Sequence, residues 1–82
     1  MMMRHDDHDE PFVVTGRREW SPFHGRTLFS SWDVDAARRE VMRIAVSDPS
    51  YVEVSMSRNG ETIFSVTRRG HRFGHTFDVL WR

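Results

Sequence analysis

The chain contains no cysteine, which excludes disulfides, thiolate metal sites and cysteine nucleophiles together. It contains no lysine either, because all twelve basic residues are arginine. Codon usage in a GC-rich genome accounts for such a bias. Its functional counterpart would be selection for bidentate contacts to carboxylates or phosphates. Neither sign of charge predominates, since twelve acids balance the twelve arginines. An overall electrostatic pull toward nucleic acid or membrane is therefore absent. No apolar run approaches the roughly 20 residues that span a bilayer, and the N-terminus lacks the apolar core of a secretion signal. The expected location is the cytoplasm, without membrane attachment. The 82 residues make one domain, too small for a cleft between domains. A chain of this length buries only about 60–65% of its unfolded surface, so its core is thin.

The stretch from Tyr51 to Thr67 carries the plainest structural signal. Val52, Val54 and Met56 point one way in the first arm, Thr62, Phe64 and Val66 point one way in the second, and Arg58-Asn59-Gly60 lies between them as a turn. A two-residue turn at Asn59-Gly60 would set Met56 opposite Ile63 and Val54 opposite Ser65, mixing polarity on each face. A three-residue loop from Arg58 to Gly60 pairs Ser57 with Glu61, Val54 with Phe64 and Val52 with Val66. That register gathers the apolar side chains, so the alternation predicts it, with Gly60 as a bulge at positive φ.

Along the rest of the chain, residues 1–10 hold four acids and one arginine, without periodicity. They are expected to be a disordered acidic tail. His5 and His8 stand among Asp6, Asp7 and Asp9, a weak metal-ligand pattern without a fold to fix its geometry. Residues 11–82 form the domain. Phe12 to Arg17 and Arg26 to Ser30 read as strands, with Gly16 ending the first or marking a bulge. A helix over about 33–47 follows, capped by Asp33, with Trp32 placed to staple onto Ala37. Val34, Ala37, Val41, Ile44 and Ala45 share its apolar face, and Pro49 ends it. After the central hairpin, Arg68 to Gly74 reads as a basic, glycine-punctuated loop, and His75 to Trp81 as a last strand.

The predicted class is α+β, order ββαβββ, with one helix packed on a mostly antiparallel sheet and a central hairpin at 51–67. A helix joining strands two and three directly would make that pair parallel and the sheet mixed. Val41, Ile44, Val54, Phe64 and Val66 are the predicted core. Leu28 or Phe29, Tyr51, Ile63 and Leu80 are left for the second sheet face, whose apolar character predicts self-association.

No motif supports enzymatic chemistry. His75 and Asp78 point to opposite faces of a strand, His71 and His75 lack a neighbouring nucleophile, and no phosphate loop, nucleophile elbow or His-Glu-x-x-His occurs. The expectation is a non-enzymatic module that binds a protein, including a second copy as homodimer, with no cofactor. Aromatic residues and arginine, the types enriched at interfaces, supply the candidate binding set: Arg17, Arg18, Trp20, Arg68, Arg69, His71, Arg72 and Phe73. Following the chain direction, the loops after strand one, after the helix and after strand four fall at one end, gathering these residues into a basic aromatic pole. The alternative function is nucleic-acid binding through residues 68–75, where arginines interleave with Phe73. The strand, the helix closed by Asp48-Pro49 and the Asn59-Gly60 hairpin, in a lysine-free chain, together resemble small proteins of GC-rich actinobacteria and their phages. That resemblance covers residues 24–67 in layout only. It implies accessory or regulatory binding and carries no site residues.

Overall fold

The computed structural model describes residues 10–21, 24–71 and 74–81. The acidic tail with His5 and His8, and the candidate binding residues Arg72 and Phe73, lie outside the described residues. The elements are β1 (Phe12–Arg18), β2 (His24–Ser31), α1 (Val34–Ser47), β3 (Tyr51–Arg58), β4 (Glu61–His71) and β5 (Gly74–Trp81). The architecture is α+β with the expected order, one helix on a five-stranded sheet.

The helix begins where a short carboxylate can replace a missing backbone partner. Asp33 has extended backbone geometry, and its side chain accepts a hydrogen bond from the Asp35 amide at 2.9 Å. Asp35 adds negative charge at the positive end of the helix dipole. Replacing Asp33 by Ala should lower stability by about 1 kcal/mol, measurable as a shift in the urea midpoint without a change in slope. Trp32 does not close over this first turn as a staple would; it stays 63% exposed.

Strand order is β2-β1-β3-β4-β5, and every neighbouring pair is antiparallel. The expected mixed sheet is thereby corrected. β2 and β3 do run in the same direction, but β1 lies between them and pairs with both. The helical connection gives enough chain to step over one strand, and the sheet gains the better-aligned antiparallel ladder.

The central hairpin also differs from its expected register. Asn59 and Gly60 have φ of 54° and 80°, the two positive angles of a two-residue type I′ turn, and Arg58 pairs with Glu61. Ser57 then faces Thr62, Met56 faces Phe64 and Val54 faces Val66. The extra residue Ile63 forms a bulge between Ser57 and Met56. The favoured turn and the apolar matching are thus both satisfied, because the bulge absorbs the one-residue conflict between them.

Val14, Ala37, Val41, Ile44, Ala45, Val54, Met56, Phe64 and Val66 form one buried cluster between helix and sheet. All five predicted core residues belong to it. Phe12, Leu28, Phe29, Val34, Tyr51 and Ile63 pack on its margins. Leu28, Phe29, Tyr51 and Ile63 are therefore not the covering of the second face. That face carries hydroxyls instead: Thr27, Thr15, Ser55 and Ser65 face one another in a row across four strands. Ser55 and Ser65, at the centre, are buried by their neighbours although they are polar. Below them Arg17 binds Glu53 at 3.1 Å, and Arg69 binds Asp78. The second face is thus mostly polar, with Leu80, the cross-strand partner of Ser65, as its exposed apolar residue on β5.

Candidate functional site

The apolar surface lies on the helix side instead. Alternation along β5 places Phe77, Val79 and Trp81 on the face that carries Arg68, Val66 and Phe64, their respective cross-strand partners. A helix is about 10 Å across with its side chains, and five strands at about 4.8 Å spacing are wider than that. α1 packs chiefly on β3 with β1, β2 and β4 around it, and its backbone stays clear of β5. Phe77, Val79 and Trp81 are consequently 39%, 54% and 52% exposed.

The flank of α1 completes a groove. Arg38, Met42 and Val46 recur every four residues, a stripe displaced from the core face toward β5. Met42 and Val46 are exposed, and with Phe64 and the stems of Arg38, Arg39 and Arg43 they line a concavity of about 720 Å³. α1 and β5 run in opposite directions, so Arg38 lies over the Trp81 ring, 5.6 Å from its centroid. At the other end Arg68 stacks on Phe77 at 5.3 Å and donates to the Ala45 carbonyl at 2.7 Å. Since α1 has no basic residue in its last turn, Arg68 supplies the missing cation at the helix C-terminus. Trp81 and Phe64 meet in a T-shaped arrangement at a ring-centroid distance of 5.1 Å, joining the groove floor to the core.

The groove is rimmed by positive charge. Arg38 reaches Asp35 at 3.3 Å, and Arg43 binds Glu40, whose carboxyl is held below its ordinary pKa by that hydrogen bond. Arg39 makes no ion pair among the described residues. Four arginines, counting Arg68, thus face three acids, Asp35, Glu40 and, near Arg68, Asp48.

The sequence-derived binding residues fall in several places. The C-terminal ends of β1, α1 and β4 do share one end of the sheet. The expected basic loop, however, is mostly strand: Arg68, Arg69, Gly70 and His71 belong to β4 and pair with Phe77, Thr76, His75 and Gly74. Successive strand residues face opposite ways, so Arg68 joins the groove while Arg69 binds Asp78 on the hydroxyl face. Arg17 is also on that face, held by Glu53. Arg18 lies over the Tyr51 ring at 4.7 Å, and its guanidinium reaches the Tyr51 hydroxyl at 3.4 Å. Trp20 is 81% exposed and, with Arg18, Arg26 and Tyr51, lines a smaller pocket of about 310 Å³. Asp48, between these sets, is held below its ordinary pKa chiefly by Ser50, with a smaller pull from Arg18 and Arg68.

Sequence reasoning missed Met42, Val46, Phe77 and Val79 as surface residues. The signal was present: Met42 and Val46 are apolar off the helix's core face, and a single helix cannot cover a fifth strand. Among the described residues there is no group of three metal-ligating side chains and no helix long and apolar enough to cross a membrane. No protein family model, curated protein or solved structure matches this chain.

Proposed function

We propose that this chain is a non-enzymatic protein-binding module and that the groove between α1 and β5 is its binding surface. The supporting observation is the contiguous exposure of Met42, Val46, Phe77, Val79 and Trp81 on one side of a domain this small. Aromatic and aliphatic groups gathered in a concavity with an arginine rim have the make-up of an interface centre rather than of solvated surface. The edge of β5 adds unpaired backbone groups beside the same surface. Nucleic-acid binding through residues 68–75 finds less support. Arg69 and Arg17 are neutralised by Asp78 and Glu53, and Arg68 is engaged with the helix end. A photo-crosslinking amino acid at Val79 tests the proposal in cells of the source organism, with Thr27 on the hydroxyl face as the control position. The expected result is a discrete protein adduct from position 79 that Met42→Asp removes and position 27 does not give. Equal labelling from both positions, or none from position 79, rejects it.

A further inference from the structure

We infer that the groove receives an acidic amphipathic helix, laid beside α1 over β4 and β5; this rests on the reading of the groove as a binding surface. The spacing carries the first part of the argument. Packed helices lie 8–10 Å apart, and two strand spacings amount to about 9.6 Å. α1 sits chiefly on β3, and β5 is two strands away. A second helix at ordinary packing distance from α1 therefore lies directly over Phe77, Val79 and Trp81. The length agrees from both walls. Phe77 to Trp81 spans about 13 Å of strand, and Arg38 to Val46 about 12 Å of helix. Between two and three helical turns fit, presenting an apolar stripe at i, i+3, i+4 and i+7.

Charge selects the kind of helix. Arg38, Arg39 and Arg43 stand along one wall and Arg68 at the end, against Asp35, Glu40 and, near Arg68, Asp48, so the rim keeps an excess of positive charge centred on Arg39. A partner with acids flanking its apolar stripe is drawn in and aligned; one with lysines there is repelled. The same geometry disfavours a second copy of the chain. Pairing β5 with β5 of another molecule would put five strand spacings, about 24 Å, between the two copies of α1. Two helices about 10 Å wide leave a trench of exposed apolar floor between them at that distance. The arginine walls would also confront each other across it.

The test uses the full chain and three labelled 16-residue peptides, followed by fluorescence anisotropy and by amide shifts in NMR spectra. The first peptide is built from Leu, Ala and Glu with the Leu residues on one helical stripe. The second replaces every Glu by Lys. The third scrambles the first and destroys the stripe. The expected result is saturable binding of the first peptide at least tenfold tighter than of either other. The shifts should be centred on Met42, Val46 and residues 77–81, and binding should weaken as salt rises. Val79→Asp should abolish it while leaving the melting transition in place, since Val79 is half exposed. Equal binding of the lysine or scrambled peptide overturns the inference. Light scattering on the free chain separates this failure from failure of the groove itself. A dimer that Val79→Asp dissolves, with no acidic-peptide binding, keeps the groove as an interface but gives it to a second copy. A monomer that binds none of the peptides defeats both readings.

Discussion

Phe64→Ala should remove a quarter or more of the domain's stability. The side chain is buried within β4, faces Met56 across the hairpin and forms a T-shaped pair with Trp81. Truncating a buried Phe to Ala costs about 3–5 kcal/mol, combining lost transfer energy with the cavity left behind. A domain of 82 residues has a total stability of about 4–12 kcal/mol, so the loss is a large share of the whole. Collapse of the surroundings gives little relief. Phe64 is held between a central strand and the helix, and the nearest group free to move is exposed Trp81. The expected result in chemical denaturation is a midpoint lowered by at least a quarter of the wild-type value with an unchanged slope. An unshifted midpoint would show that Phe64 does not join helix to sheet. Val79→Asp is the useful contrast: it changes the same side of the sheet one strand away, but at an exposed position, and should leave the midpoint nearly untouched.

Much of the fold could be read from the sequence because the helix and the central hairpin each satisfied local and long-range demands at once. The residues of α1 that recur at 3.6 spacing meet the residues of β3 and β4 that alternate, and both sets are apolar. The register is not legible in the alternation alone, because the favoured turn and the apolar matching demand pairings one residue apart. A single inserted residue, Ile63, reconciles them, and a bulge leaves no mark in an alternating pattern until the pairing is known. The parallel pairing of β2 and β3 was misjudged for a related reason, since no local feature tells that a third strand will lie between two others. The groove was the least legible part. Phe77, Val79 and Trp81 have the alternation of a buried strand face. Only the reach of α1 across the sheet decides that they are exposed, and reach is a property of the assembled layers. The arginines show the converse error. Arg68 and Arg69 are adjacent in sequence and look like one basic patch, yet the strand separates them to opposite faces, where one caps a helix and the other binds Asp78.

Gly16→Val should destabilise the domain by about 2–3 kcal/mol, although valine favours strands and glycine does not. Two effects oppose each other here. Glycine within a strand costs up to about 1 kcal/mol relative to a good β-former, through its extra freedom when unfolded and its lack of packing. On that account alone the substitution would stabilise. But Gly16 pairs with Val54 on the core side of β1, and the Tyr51 ring lies against its α-carbon. A β-carbon placed there would stand 2.6 Å from Cδ1 and 2.7 Å from Cε1 of that ring. The ring cannot simply swing aside, because Arg18 stacks on it and its hydroxyl is engaged by the same guanidinium. On the β2 side the ladder is already irregular between Thr15 and Arg17, so a shift of β1 to relieve the clash would disturb the weaker of its two pairings. Overpacking of this kind costs about 1–3 kcal/mol for a single added group, and valine adds three carbons where one is already too close. The clash therefore outweighs the propensity. A double-mutant cycle assigns the cause: in a Tyr51→Ala background, Gly16→Val should become neutral or stabilising, because only the strand preference remains. If valine at position 16 destabilises equally with and without the Tyr51 ring, the glycine is required by the irregular β1–β2 pairing and not by the packed tyrosine.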